Sequence, residues 1–394
     1  MAAVLTFSIS LHENNNICSI MIIGYDAKRI VRNATGLGNY GRTLINSLSA
    51  VSDHRFLLYA PDSGRDDLRT KVDMRPHVEF RYPAHARFRF QRDLWRSRGI
   101  VADLVSDGVQ LYHGLSGELP VGIRCAGIPA VVTVHDLIFM RHPEYYRRID
   151  AAIYRRKFYS MLKEADRIIA ISECTRRDIL HYSDYPADRI SVVYQSASAK
   201  FGSAAGGALP AELSGVSRYV LQVGTIEERK NALESVMALE YLPADVHLVL
   251  VGRETAYSEQ VRRYAAQHAL TGRLHVMSGV GDDELAALYH NAQCFVYPSR
   301  YEGFGIPIIE AIQCGLPVVA ATGSCLEEAG GPDSLYVSPD APEDMAAAVM
   351  QMLGSARREQ AIERSRQYVR RFENSDVARQ VLQIYDMVIA ENRK

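Results

Sequence analysis

The amino-acid sequence predicts an α/β protein of two doubly wound domains in tandem, and three observations carry that prediction. Short apolar runs alternate with amphipathic stretches from residue 21 onward, the rhythm of β-α-β units. Several runs are almost wholly apolar, among them Ala130-Val131-Val132-Thr133-Val134 and His247-Leu248-Val249-Leu250-Val251. Such runs suit parallel strands covered on both faces. At 394 residues the chain exceeds what one hydrophobic core usually organises, and residues 201–208 near its middle have the small-residue composition of a linker.

Taken in order, the strand candidates of the first half are 21–24, 56–60, 109–112, 130–134, 167–171 and 191–194. Those of the second half are 219–223, 246–251, 273–277, 293–297, 317–320 and 335–337. The ranges that follow are 21–200 for the first domain, 201–217 for the linker and 218–374 for the second domain, with residues 375–394 as a last helix. Residues 1–20 read as an extension ahead of the strand-like run that opens at Met21, a candidate natural start. They carry Asn14-Asn15-Asn16 and lack the basic region and cleavage site of a signal peptide.

Composition narrows the class. A hydrophobic content of 47% with 23% charged residues is that of a soluble globular protein. No apolar stretch approaches the roughly 18 residues of a membrane span. Six cysteines (18, 125, 174, 294, 314, 325) form no C-x-x-C pair and read as reduced thiols of a cytoplasmic protein. The net charge of −1 hides an asymmetry: residues 21–200 carry 28 Lys/Arg against 20 Asp/Glu, and residues 201–394 carry 17 against 25. Two halves of opposite sign suggest domains that meet different partners.

The most informative segment is Ser299-Arg300-Tyr301-Glu302-Gly303-Phe304-Gly305-Ile306-Pro307-Ile308-Ile309-Glu310. The run Cys294 to Tyr297 before it reads as a buried strand, and Pro307 suits a first helical position. Glu310 then falls in the first turn, and Gly315 with Pro317 ends the helix. Strand and helix start thus converge on one spot, with backbone N–H groups suited to phosphate. A second such place is Gly224-Thr225-Ile226-Glu227-Glu228-Arg229-Lys230-Asn231, between the strand Tyr219 to Val223 and an amphipathic helix. Cations at a helix N-terminus oppose its dipole, so Arg229 and Lys230 call for an anion.

These two segments resemble the paired-glutamate signature and diphosphate-binding turn of retaining, nucleotide-sugar-dependent glycosyltransferases of family 4. The resemblance covers nearly the whole chain from Met21. It implies the GT-B fold, two Rossmann-like domains facing across a cleft, with the last helix crossing back onto the first domain. It also implies that Glu302 contacts the donor sugar and Glu310 the ribose hydroxyls. Gly224, Thr225, Arg229, Lys230 and the backbone of Gly303, Phe304, Gly305 and Ile306 then hold the diphosphate, and the turn around Val280 holds the base. Thr225 departs from the basic residue often found after that glycine, which leaves charge compensation to Arg229 and Lys230. The donor expected is a GDP- or UDP-sugar, with GDP-mannose leading.

On the first domain, Gly36-Leu37-Gly38 reads as a glycine loop between strand and helix. It lacks a dinucleotide fingerprint, because Arg42 follows Gly41, and the resemblance makes Gly38 its donor-phosphate contact. Val134-His135-Asp136 closes a buried strand at the crevice end. The resemblance puts His135 beside the transferred sugar with Asp136 positioning it, and His113 is a weaker candidate. The chain holds no D-x-D triplet, and Asp282-Asp283 reads as a helix cap, so no metal is expected. Two basic-aromatic stretches, Arg81 to Arg98 and Tyr145 to Tyr159, suggest a lipid diphosphate or an anionic membrane surface, which fits a glycan or lipid-linked acceptor and peripheral contact with the inner leaflet. No nucleic-acid module accompanies them. A glycosidase is excluded because Glu310 lies too deep in a helix to flank a glycosidic bond. The remaining alternatives are a nucleotide-sugar 2-epimerase on the same fold and a non-catalytic nucleotide-sugar-binding subunit.

Overall fold

The structure, a computed structural model, describes residues 20–84, 88–197, 201 and 208–393. The extension at residues 1–19, with Cys18, and the glycine-rich part of the linker lie outside them. The first sheet contains β1 (Ile22–Asp26), β2 (Arg55–Tyr59), β3 (Val78–Arg81), β4 (Leu111–Gly114), β5 (Ala130–Val134), β6 (Arg167–Ala170) and β7 (Ile190–Val192). Their order is β3-β2-β1-β4-β5-β6-β7, every pairing parallel. The second sheet holds β8 (Tyr219–Val223), β9 (His247–Val251), β10 (Leu274–Met277), β11 (Cys294–Tyr297), β12 (Val318–Ala321) and β13 (Leu335–Val337). It repeats the pattern as β10-β9-β8-β11-β12-β13, again all parallel. In each sheet the order reverses beside the first strand of the domain. Such switch points open a crevice at the C-terminal strand ends, and most predicted site residues follow one of those ends; Gly38 and Glu310 lie in the helices beyond, and His113 within β4.

The strand missed by sequence reading is β3. Its residues Val78-Glu79-Phe80-Arg81 alternate apolar and charged because the strand lies at a sheet edge, so no continuous apolar run marks it. The linker also needs correction. Phe201 and Leu213 are buried in the second domain's core, and Phe201 packs edge-on against Tyr289. The last helix, Asn374–Asn392, sets Val377, Val381, Ile384, Tyr385 and Val388 into the first domain's core. Tyr385 reaches His113 Nδ1 at 2.6 Å, while Thr133 holds the other ring nitrogen at 2.8 Å. His113 is fully buried and its pKa is pushed down to about 3 by that burial, so it is an anchor for the last helix and no cleft residue.

Candidate functional site

The two predicted phosphate segments are laced together. A backbone bond from Arg300 N to Arg229 O, 2.9 Å, ties the turn after β8 to the loop after β11, and the side chain of Gln222 on β8 holds the same turn by donating to Lys230 O at 2.9 Å. Gly224 has φ of +146°, and a Cβ there would press on the Lys230 stem. Arg229 and Lys230 occupy a 3-10 turn (Glu228–Lys230) just ahead of the helix Ala232–Ala238, not the helix itself. Both point at Glu302. The carboxylate sits 2.8 Å from Arg229 and 2.6 Å from Lys230, and accepts from Ser299 Oγ at 2.7 Å. Lys230 also donates to Tyr297 Oη at 2.6 Å, and Arg229 meets Glu227 at 2.7 Å. Burial works against the charge on Glu302, whose side chain is only 12% exposed, but Lys230 and Arg229 outweigh it and hold its pKa near 2. The two cations are in turn held above their ordinary values, chiefly by Glu302 against the cost of burial.

The loop Gly303–Gly305 turns its carbonyls into protein. Ser172 Oγ donates to Gly303 O at 2.7 Å, and Cys325 Sγ reaches Glu302 O and Phe304 O. Across each trans peptide the following N–H points the opposite way. Phe304 is buried and stacked on Tyr194 at 5.4 Å. The helix beyond is Ile306–Gln313, so Pro307 takes its second position and Glu310 its fifth, one residue deeper than expected. Glu310 receives the Tyr289 hydroxyl at 3.1 Å, and burial raises its pKa to about 7. It lines a cavity of about 110 Å³ with Ile306 on one side and Gly36, Tyr40 and Gln195 of the first domain on the other.

Gly38 is elsewhere. The helix begins at Gly36, so Gly38 lies inside its first turn, donates to Thr35 O and is buried. A Cβ there would collide with the Asn33 carbonyl, which gives Gly38 a packing role, and Gly36 is the glycine that faces Glu310. His135 also differs from expectation. Its Nε2 lies 2.9 Å from Leu115 O and its Nδ1 2.7 Å from Gln195 Nε2. A carbonyl partner requires the proton on Nε2, and burial lowers the pKa to about 4, so the ring is neutral with both nitrogens occupied. Asp136 caps Ile138 N, and burial raises its pKa. Thr225 and Val280 are partly exposed and line neither this cavity nor the one beside His135. Asp282 and Asp283 open a helix whose N-cap position is Gly281, so they stand in its first turn, where their charge complements the dipole. Among the described residues, no group of three or more His, Cys, Asp and Glu stands together as a metal site.

Sequence reading missed the contacts that join the domains here. Glu328 accepts from Glu173 N at 2.7 Å and Cys174 N at 2.8 Å, capping a first-domain helix from the second domain. Tyr301, next to Glu302, bonds Asp178 at 2.5 Å. Gly303 lies so close to the His135 carbonyl that no Cβ would fit. Nothing in the spacing of these residues pairs them. Arg29 and Gln195 had a signal, since both follow strands at the crevice end.

Comparison with known proteins agrees with this geometry. A family model described as glycosyl transferases group 1 matches residues 212–368, and one described as glycosyltransferase family 4 matches residues 34–197. The chain is 31% identical over 255 residues to O-antigen chain mannosyltransferase B of Escherichia coli, covering 62% of this chain and 65% of that protein. It is 28% identical over 253 residues to the serotype-specific mannosyltransferase WbdA of Escherichia coli, covering 60% of this chain and 31% of that protein. The match thus spans less than two thirds of the length of both relatives. Anabaena HepE, solved in complex with UDP-glucose, superposes with a TM-score of 0.71 at 16% identity over 93% of this chain and all of that one.

Proposed function

Because the chain belongs to the group 1, family 4 glycosyltransferases and has their GT-B fold, we propose that it is a retaining hexosyltransferase. It moves a hexose, with mannose leading, from a GDP- or UDP-sugar to a glycan or lipid-linked acceptor of cell-envelope polysaccharide. The observation that carries this reading is the pair of cations on Glu302 at the switch point of the second sheet. Glu302 offsets one of the two positive charges, and the other becomes free for an arriving diphosphate when the second carboxylate leaves. Glu227 adds a carboxylate at the more exposed edge, 35% exposed, where the anion can displace it.

In this mechanism the bond from the anomeric carbon to the diphosphate breaks while Arg229 and Lys230 neutralise the departing oxygens. The acceptor oxygen bonds to the same face, and its proton passes to the diphosphate oxygen. Stabilising that leaving group is the main catalytic contribution, joined by the amides of Gly303 to Ile306. Arginine and lysine would then take the place of a divalent metal. Glu310, facing the first domain, holds the ribose. The turn at Val280 holds the base, and Gly224 and Thr225 flank the diphosphate. His135, already fixed by Leu115 and Gln195, and Asp136 border the sugar as positioning groups.

A peripheral seat on the cytoplasmic face of a membrane is part of the same reading. Phe88, Phe90 and Leu94 are 60–68% exposed beside Arg89, and Ile149 and Ile153 are exposed among Arg148, Arg155 and Arg156. Arg96 does not join them, because it is buried against Asp26 and Glu118. Among the described residues no helix is long and apolar enough to cross a bilayer. The test is incubation of the purified protein with GDP-mannose and UDP-hexoses, with and without mannosides, followed by proton NMR. A glycoside with the donor's anomeric configuration supports the reading. An inverted product, or an epimerised nucleotide sugar formed without acceptor, overturns it.

A further inference from the structure

Glu302 stands between two residues that the first domain grips, Tyr301 and Gly303. The grip comes from one helix, Glu173–Tyr182, and from Ser172 ahead of it. Ser172 Oγ donates to Gly303 O at 2.7 Å, and Asp178 Oδ2 accepts from Tyr301 Oη at 2.5 Å. Cys174 Sγ lies 3.3 Å from the same hydroxyl, and the His142 ring lies 5.0 Å from the Tyr301 ring. The Tyr301 side chain is thus set among first-domain groups, although its backbone belongs to the second domain. Burial, and then Asp178, push its pKa up, so the hydroxyl keeps its proton and donates.

The carbonyl of Tyr301 has a different partner. It accepts from Arg229 Nη1 at 2.6 Å, and the same nitrogen lies 2.8 Å from Glu302. The other terminal nitrogen, Nη2, meets Glu227. A planar guanidinium held at one nitrogen by two acceptors presents its remaining edge in one direction. That edge faces the carboxylate an arriving anion can displace, so the place of the Tyr301 carbonyl sets where Arg229 offers its charge. Tethering the domains does not by itself explain Asp178. At 5% exposure a carboxylate carries a desolvation cost that an apolar side chain would avoid. What a short hydrogen bond to a carboxylate adds is direction.

We infer that Asp178 and Tyr301 are positioning residues for Arg229: the first domain, through Asp178, fixes the Tyr301 carbonyl, and that carbonyl aims the free edge of Arg229 at the diphosphate. Both residues act through Arg229. The inference rests on the transferase reading and adds a dependence to it: the cation is set for the leaving group only while the first domain holds the loop.

Calorimetry on the full chain with GDP, GMP, UDP and UMP tests it, because the ratio of diphosphate to monophosphate affinity reports on the outer phosphate alone. The wild type should prefer the diphosphate of at least one base. Tyr301→Phe, which keeps the ring, and Asp178→Ala should each cut that preference about tenfold while monophosphate affinity stays within about twofold. Asp178→Asn keeps an acceptor for the hydroxyl and should hold the preference within about threefold of wild type. The double variant Tyr301→Phe/Asp178→Ala should lose no more than the larger single loss. Thermal unfolding checks each fold, and if Asp178→Ala does not fold, Tyr301→Phe decides. An unchanged preference in Tyr301→Phe, an equal loss of monophosphate and diphosphate binding, or additive losses in the double variant overturns the positioning role. A wild type that binds no nucleotide, or binds both phosphate states equally, overturns the diphosphate reading itself. The two failures are told apart by the protein that shows them.

Discussion

Each domain carries an ion network of two acids and two bases at the C-terminal ends of its central strands, and the two differ in how exposed the acid at the end of the chain is. In the first domain Arg96 bridges Asp26 and Glu118, each at 2.5 Å, and Lys157 closes the chain on Glu118 at 2.9 Å. Two acids and two bases satisfy one another, with Asp26 only 4% exposed. In the second domain Glu302 serves both Arg229 and Lys230, and the acid at the end of that chain, Glu227 on Arg229, is 35% exposed. The same sheet order thus supports a closed network that fastens a strand end and an open one that can exchange its carboxylate for another anion. The first network is structural, and the second suits a charged ligand.

The largest effect is expected where the closed network is broken. Arg96→Met leaves two buried carboxylates without their main partner and should cost about 3–5 kcal/mol of stability, read by urea unfolding. Glu118, held near 2 by Arg96 and Lys157 against its burial, makes that network acid-sensitive. Its contribution is present above its ordinary value of 4.5 and fades as pH falls from there toward 2, so wild type and variant should converge in acid. A variant as stable as wild type at pH 7 would show that the two networks do not differ in kind.

Next comes Lys230→Ala, which should keep the fold but lose about 2–4 kcal/mol of transition-state stabilisation in kcat/KM. Near-normal turnover in a folded variant would remove the leaving-group role. Glu302→Gln sharpens the point. Turnover should drop about 10–100-fold, yet GDP or UDP should bind as tightly as before or more tightly, because both cations lose their competitor. Calorimetry decides, and weakened nucleotide binding would make Glu302 a simple ligand holder.

Smaller effects concern Glu310. With its pKa raised to about 7 by burial, it is largely protonated at pH 6 and ionised at pH 8. A carboxylate that accepts from ribose hydroxyls should bind nucleotide more tightly as pH rises through 7, by a few-fold, and Glu310→Gln should flatten that slope. The sign for stability is opposite. Between 4.5 and about 7 the folded state binds the extra proton, so wild-type stability falls with rising pH relative to the Gln variant. The smallest expected effect is that of chelator. Transfer in excess EDTA should match the rate with Mg²⁺ or Mn²⁺, and recovery only on adding Mn²⁺ would place a metal at the diphosphate.

Much of this was legible in the residues. Among the described residues, twelve of the thirteen strands follow from apolar runs, because a strand covered on both faces must be apolar throughout. The cation pair was legible too, because two positive charges against a helix start imply an anion. Gly38 was misread because a glycine admits two explanations, close approach to a ligand or close packing of backbone, and only the Asn33 carbonyl beside it distinguishes them. His113 and His135 look alike in sequence, each at a strand end, but Tyr385 from 272 residues away makes the first an anchor.

By itself, then, the sequence determined the fold class, the strand-to-turn positions of Arg229, Lys230 and Glu302, the helical place of Glu310, and the family these residues mark. All of these depend on periodicity and on neighbours within a dozen residues. Tertiary structure alone decided which charges meet and which nitrogens are already taken. Glu302 could be assigned to the two cations and Gln195 to His135 only once the strands of each sheet were ordered, and Glu328 to the helix of the other domain only once the sheets were placed face to face. The physical reason is range: backbone preference and hydrophobic pattern act along the chain, whereas ion pairing, desolvation and cavity shape depend on groups that folding brings together from distant positions.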